Sequence, residues 1–212
     1  MGFACHLDDE AFNEDREQLI AQLEQDMDGI VNPGCDAASS AVAVELAKKY
    51  PFIYAAVGWH PENLKGIPAD YLQQLAEWAQ HPKVVAIGEI GLDYYWKENE
   101  PKEVQKRIFL EQVDLAKQFD LPVIIHDRDA HGDMLELFQK EVHGVQAVFH
   151  CFSGSLEMAK ELASVAITLA SAVRLPIRMR RKCVRLCSIF LRSCCCLKPT
   201  ALSDAGAFPR QA

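Results

Sequence analysis

The sequence predicts an α/β fold with a parallel sheet, arranged as a (β/α)8-type barrel that is incomplete after about residue 170. Short apolar runs rich in Val, Ile and Phe alternate with amphipathic stretches, as in a parallel sheet whose strands are buried on both faces. Five or six such units fill about 165 residues, whereas a complete barrel needs about 250. A doubly wound open sheet shows the same alternation and is the alternative.

The elements follow in a regular order. After a short apolar stretch that ends at His6, strands are predicted at 29–31, 52–57, 84–90, 121–125 and 145–149. Helical spacing of apolar residues predicts helices at 10–25, 37–50, 69–80, 101–120, 130–142 and 155–164. Pro101 followed by Glu103 is typical of a helix start, and so is Ser155 followed by Glu157.

Charge and cysteine content divide the 212 residues into two parts. Residues 1–171 carry 13 Lys or Arg against 29 Asp or Glu, a net charge of −16, and three cysteines. Residues 172–212 carry nine bases, one acid and five cysteines. We therefore predict a barrel over 1–171 and a separate basic tail over 172–212. No apolar run reaches the roughly 18 residues of a membrane span, and no leader pattern is present, so a cytoplasmic protein without a membrane association is expected.

Polar residues gather where the predicted strands end. His6, Glu89, His126 and His150 each follow or close an apolar run, and in a parallel barrel these ends meet at one rim. A lone histidine at such a place is more often structural than a ligand. A carboxylate inside an apolar run, however, needs a cation or hydrogen-bond donors to offset its desolvation. Together the four residues predict a site for a divalent ion.

Five motifs at these strand ends resemble, in order and spacing, the TatD family of metal-dependent hydrolases. That family belongs to the amidohydrolase-like superfamily, and many members are described as deoxyribonucleases. The resemblance covers about residues 5–170. The motifs are His6-Leu7-Asp8-Asp9-Glu10, Gly58-Trp59-His60-Pro61, Gly88-Glu89-Ile90-Gly91-Leu92-Asp93-Tyr94-Tyr95, Pro122-Val123-Ile124-Ile125-His126-Asp127-Arg128-Asp129-Ala130 and His150-Cys151-Phe152-Ser153-Gly154-Ser155.

The resemblance implies a TIM barrel with a one- or two-metal site at the carboxyl ends of the strands. It implies that Glu89 bridges the metal and serves catalysis, that His126 and His150 are ligands, and that His6 is the second histidine of a His-x-His pair. His60 and Arg128 match polar residues of the pocket and are assigned to catalysis with Glu89. The implied ion is Mg²⁺, Mn²⁺ or Zn²⁺, the implied substrate is DNA or a small phosphodiester, and no protein partner is implied.

Two departures from the family pattern stand out. Ala4 occupies the place of the first histidine of the His-x-His pair, and no late Glu-Thr-Asp motif supplies the metal-binding, water-activating aspartate. Asp204 lies in a different context and is not assigned that role. Plausible codons for residues 194–201, read one base earlier, encode Leu-Leu-Leu-Leu-Glu-Thr-Asp-Cys, so we predict that the tail arises from a frameshift. The alternative is a genuine basic, cysteine-rich extension that binds metal or nucleic acid.

Two functions are therefore expected. The first is a metal-dependent hydrolase that cleaves phosphodiester bonds of DNA through a metal-activated water. The alternative is a catalytically impaired, truncated barrel that keeps only metal or partner binding.

Overall fold

The computed structural model describes residues 2–3, 6–163 and 167–169 and builds them into seven strands and six α-helices. The strands are β1 (Gly2–Phe3), β2 (Ile30–Pro33), β3 (Ile53–Val57), β4 (Val84–Asp93), β5 (Val123–Arg128), β6 (Ala147–Phe149) and β7 (Ile167–Leu169). The helices are α1 (Arg16–Asp26), α2 (Ala37–Lys49), α3 (Tyr71–Ala79), α4 (Lys102–Gln118), α5 (His131–Lys140) and α6 (Leu156–Ala163). The predicted tail, 172–212, lies outside the described residues.

The strands form one parallel sheet whose spatial order is the chain order, β1 to β7. In a doubly wound sheet the order of the strands reverses at a switch point. The order here runs from β1 to β7 without a reversal, so the open-sheet alternative is wrong. Sequential winding with a helix between each strand and the next is the arrangement of a (β/α)8 barrel, as predicted. Within the described residues, no helix has both the length and the apolar character that crossing a membrane demands.

The start of the first helix differs from the prediction. The segment predicted to open it forms a 3₁₀ turn, Glu10–Phe12, and α1 begins only at Arg16. The Arg16 guanidinium donates hydrogen bonds to the carbonyl oxygens of Leu7 and Asp9. This side chain ties α1 to the segment after β1, and such a tertiary contact is invisible to helical spacing.

Both faces of the sheet are buried. Ile53, Ile87 and Ile125 belong to the large cluster packed against the helices. Alternate positions point to the barrel interior, where a small cluster holds Val31, Ala56, Ala86 and Ile124, one from each of four consecutive strands. Since side chains alternate along a strand, the residues that follow Ile124 on the interior face of β5 are His126 and Arg128.

β4 approaches β5 closely and irregularly at the carboxyl end. The pairing register shifts between Ile87 and Ile90, where β4 carries one residue more than β5. Bulges of this kind redirect a side chain, here that of Glu89. Gly91, at φ +150°, faces His126, and a Cβ there would lie 1.9 Å from the His126 carbonyl oxygen. Only glycine permits this approach, which brings β4 against the strand that carries His126.

Candidate metal centre

Glu89 is the centre of the site. Its side chain is nearly inaccessible, and the residue is 3% exposed. Its Oε1 lies 3.2 Å from His126 Nδ1, and its Oε2 lies 3.7 Å from His6 Nε2. Within the part of the chain that the structure describes, the ionic partners of Glu89 are imidazoles alone. A buried carboxylate with no lysine or arginine beside it requires another source of positive charge.

The imidazoles of His6 and His126 are shifted toward their protonated forms beside Glu89. Burial alone would raise the pKa of Glu89, but the hydrogen bond with His126 and the nearby His6 imidazole outweigh it and hold the pKa well below the usual range. Burial lowers the pKa of His126, yet Glu89 and Asp93 raise it above its ordinary value overall. The nearby Glu89 carboxylate is the main cause that raises the pKa of His6. A divalent cation can replace these protons.

Ligand atoms converge on Glu89 in two groups. His6, Glu89 and His150 offer atoms that lie within 4.8 Å of one another, and so do His60, Glu89 and His126. Burial lowers the pKa of His150, which leaves a ring lone pair available for a metal. Imidazole nitrogens with a carboxylate oxygen are ligands that suit Zn²⁺ and Mn²⁺. The residues therefore fit a divalent ion, with Glu89 common to both groups.

His60 differs from the other histidines of the site. Its ring packs edge-on against His126, with centroids 4.2 Å apart. Burial is the main cause that lowers its pKa to about 4, so the ring is neutral at pH 7. Its Nδ1 accepts a hydrogen bond from the Glu62 backbone N–H at 3.2 Å, which puts the single ring proton on Nε2. We therefore interpret His60 as a hydrogen-bond donor of the pocket rather than as a ligand.

Asp93 is a site residue to which the sequence analysis gave no role. It is fully buried, and its Oδ2 lies 2.9 Å from His126 Nε2, so His126 is held between two carboxylates. Glu62 completes a third group of possible ligands with Asp93 and His126. The predicted strand ends at residue 90, whereas β4 continues to Asp93, which therefore lies four residues after Glu89 on the same strand. Period-two alternation places both on one face. Glu62, in the loop after β3, carried no comparable signal.

Arg128 lies at the rim of the site. It follows His126 by two residues on β5 and pairs in register with Asp93. Its guanidinium stacks over the ring of Tyr95 at 3.8 Å and takes no part in the ligand groups. The structure thus brings His6, His60, Glu89, His126 and His150 together and places Arg128 beside them.

Comparison with known proteins gives this arrangement a family. The sequence model described as TatD related DNase matches residues 3–185. The chain belongs to the TatD-related DNase family. This confirms the resemblance that the five strand-end motifs indicated.

Curated relatives support the same assignment. The metal-dependent hydrolase YabD of Bacillus subtilis, itself uncharacterised, is 41% identical over 159 residues, which cover 74% of this chain and 62% of YabD. The 3'-5' ssDNA/RNA exonuclease TatD of Pectobacterium parmentieri is 34% identical over 161 residues, or 74% of this chain and 62% of that enzyme. The chain thus spans about six tenths of the length of the curated relatives it matches.

Solved structures of the family share the fold. The TatD homologue YjjV from Escherichia coli superimposes with a TM-score of 0.71 at 34% identity, over 79% of this chain and 66% of its own. A TatD family hydrolase from Entamoeba histolytica gives a TM-score of 0.71 at 24% identity, over 80% of this chain and 64% of its own, which bears on the fold alone. The sequential parallel strands are therefore those of the TatD barrel.

Proposed function

We propose that this chain is a metal-dependent hydrolase that cleaves phosphodiester bonds of DNA, with single strands as its substrate. The observation that carries the proposal is the buried Glu89, surrounded by imidazoles at the carboxyl ends of parallel strands. Catalytic residues of α/β barrels lie at this end. The names of relatives, which include a 3'-5' ssDNA/RNA exonuclease, support phosphodiester chemistry.

Four side chains would hold the metal: His6, Glu89, His126 and His150. A bound divalent ion lowers the pKa of a coordinated water and offsets negative charge on a phosphate. Glu89 supplies the anionic ligand, and Asp93 orients His126 through the hydrogen bond to Nε2. Such outer partners keep a ligand imidazole in one orientation. Mg²⁺, Mn²⁺ and Zn²⁺ are the ions we propose, and the imidazole content favours Mn²⁺ and Zn²⁺.

Two further side chains would act on the phosphate. His60 is neutral at pH 7, and its Nε2–H can donate to a phosphate oxygen without adding charge. The guanidinium of Arg128 matches two phosphate oxygens in a bidentate pair. Together they would orient the phosphodiester over the Glu89 cluster.

The acidic net charge of the chain favours a single-stranded substrate over a long duplex. Residues 1–171 carry a net charge of −16, and tight nonspecific binding of duplex DNA needs many lysine and arginine contacts to phosphates. Metal and Arg128 would supply the positive charge at one point. We therefore propose strand ends and short single strands as substrates. The cytoplasm is the compartment that we propose, and the half-buried Cys35 thiol, which forms no disulfide with described residues, suits it.

The test is hydrolysis of a 5'-labelled single-stranded oligonucleotide with Mg²⁺, Mn²⁺ or Zn²⁺, and with EDTA. We expect hydrolysis that EDTA stops and that Glu89→Gln abolishes. Glu136→Gln, a neutralisation on the exposed surface of α5, serves as the matched control and keeps the activity. Equal hydrolysis by Glu89→Gln and the wild-type chain would contradict the proposal.

A second candidate function is metal binding without turnover. It is favoured by two departures from the family pattern: Ala4 stands in the place of a family histidine, and the late Glu-Thr-Asp motif does not occur in the sequence. Titration calorimetry with Mn²⁺ or Zn²⁺ distinguishes the two functions. Ion binding that Glu89→Gln removes, together with no hydrolysis by the wild-type chain, would establish the second candidate.

A further inference from the structure

Two exposed aromatic rings and an arginine stand beside the metal centre. Tyr95 is 50% exposed and Trp96 is 41% exposed, and their rings meet edge to face with centroids 4.7 Å apart. The Arg128 guanidinium carbon lies 3.8 Å from the Tyr95 ring centroid and 5.4 Å from that of Trp96. We call Tyr95, Trp96 and Arg128 the aromatic platform. Large aromatic surface left open to solvent beside a site indicates a binding surface.

The aromatic platform is fixed to the metal centre through Asp93. The Asp93 carboxylate accepts hydrogen bonds from the backbone N–H groups of Tyr95 and Trp96, at 3.0 and 3.4 Å. The same carboxylate contacts His126 at 2.9 Å. Across the strand pair, the Tyr94 N–H donates to the Arg128 carbonyl oxygen at 2.9 Å. The platform and the candidate ligand His126 therefore share one rigid support.

Arg128 is placed to receive an anion. Within the described part of the chain, no carboxylate forms an ion pair with its guanidinium, although acids exceed bases by more than two to one over residues 1–171. Its partners are the two rings, which leave its N–H donors for a ligand. A guanidinium that stacks on an aromatic ring is pre-oriented for bidentate binding of phosphate.

From this geometry we propose that the aromatic platform binds one nucleotide of a single-stranded nucleic acid, next to the phosphodiester bond that is hydrolysed. The base stacks on Trp96, the phosphate that joins this nucleotide to the next one pairs with Arg128, which would orient it for hydrolysis, and Tyr95 holds the guanidinium in place. The bases of a duplex are already stacked on one another, so only an unpaired base can meet this ring. Every base has a π-face, and the subsite accepts all four. The position of the hydrolysed bond rests on the proposed function; the nucleotide subsite does not.

Binding of two labelled oligonucleotides tests this subsite on the full chain with Mg²⁺ present. One is a short phosphorothioate-linked oligothymidylate, which resists hydrolysis, and the other is the same backbone without bases. By fluorescence anisotropy, Trp96→Ala should weaken binding of the oligothymidylate about tenfold and leave the abasic strand unaffected. Trp96→Phe, which keeps a stacking ring, should restore most of the affinity. Arg128→Gln should weaken the binding of both oligonucleotides, because both have a phosphate backbone.

Tryptophan emission gives an independent readout. The chain has three tryptophans, and oligothymidylate should quench the emission of the wild-type chain and not that of Trp96→Phe. Leu156→Ala, which alters an exposed apolar residue on α6, is the control and should bind both strands as the wild-type chain does.

Equal affinity of the wild-type chain for both strands, or unchanged affinity in Trp96→Ala, would overturn the subsite. The proposed function is judged separately, by hydrolysis of bis(p-nitrophenyl) phosphate, a substrate without a base. If the wild-type chain hydrolyses this substrate and Glu89→Gln does not, the proposed function is supported whether or not the aromatic platform binds a base. If the wild-type chain does not hydrolyse it, the proposed function is contradicted and the subsite is not.

Discussion

The two sides of Glu89 are built differently. On the β4–β5 side, His126 is held between Glu89 and Asp93 at 3.2 and 2.9 Å, and its side chain is 20% exposed. On the other side, His6 follows β1 and His150 follows β6. His6 lies 3.7 Å from Glu89 with a side chain 37% exposed, and His150 belongs to the same group of possible ligands. The first side is ordered by hydrogen bonds within the protein. The second places its possible ligand atoms within 4.8 Å of one another, with a longer contact of 3.7 Å between Glu89 and His6.

Removal of Glu89 should have the largest effect, because both sides depend on it. Glu89→Ala takes away the only carboxylate common to the two ligand groups, and we expect the dialysed protein to retain no bound Mn²⁺ or Zn²⁺. Elemental analysis of the protein measures the stoichiometry, with Glu136→Ala as the control. Unchanged stoichiometry in Glu89→Ala would mean that neither side forms the metal centre.

Asp93→Asn tests whether hydrogen bonds within the protein orient His126, on the β4–β5 side, before a metal ion binds. Loss of the charged acceptor on His126 Nε2 should weaken Mn²⁺ or Zn²⁺ binding about 10- to 100-fold, a typical cost for the partner of a ligand histidine. Calorimetric titration measures the affinity. Asp133→Asn, the same change outside all three ligand groups, should bind as the wild-type chain does. An Asp93→Asn chain with full affinity would show that His126 needs no support.

The lowered pKa of His60 predicts a pH effect on stability that the raised pKa values of His6 and His126 oppose. In the folded chain its pKa is lowered to about 4, mainly by burial, whereas in the unfolded chain it takes up a proton below about pH 6.5. Protonation therefore favours the unfolded state, and the stability from neutral His60 is present above pH 6.5 and lost as the pH falls toward 4. Between pH 7 and pH 5 this loss is about 2 kcal/mol.

Urea unfolding of the metal-free chain at pH 7 and pH 5 measures that loss. His60→Gln cannot be protonated and should lose less stability between the two pH values than the wild-type chain. His143→Gln, at an exposed position, should follow the wild-type chain. An equal loss of stability between pH 7 and pH 5 in all three proteins would show that burial does not keep His60 neutral.

The smallest effect is expected outside the centre, at Tyr94, which directly follows β4 and contacts α5. Tyr94→Phe removes a hydrogen bond of 2.8 Å from the hydroxyl to Asp133 and should lower the free energy of unfolding by about 0.5 kcal/mol, because the contact is partly solvated. Metal affinity should not change. A drop in affinity as large as that of Asp93→Asn would mean that general rigidity of β4 and β5, rather than the Asp93 contact, orders His126.

Much of the site was predictable because its residues end buried strands. Glu89 is polar inside an apolar run, and His126 and His150 close the next two runs, so parallel topology alone brings them to one rim. Asp93 went unassigned because an aspartate after a strand is common in loops. Its burial depends on packing that one-dimensional periodicity does not contain. The departure at the start of α1 has a similar cause, since Arg16 binds carbonyl groups of a segment that follows β1.

The sequence by itself determined the alternation of strands and helices, the parallel sheet, the acidic charge of residues 1–171 and the carboxylate and histidines that converge. These follow from periodicity and residue type, which are local properties of the chain. Only the tertiary structure decided the sequential strand order, the neutral state of His60, the two-sided contact of His126 and the stacking of Arg128 on Tyr95. Each of these depends on the burial of a group and on its distance from residues far away in the sequence, and both quantities exist only once the sheet and its helices have packed together.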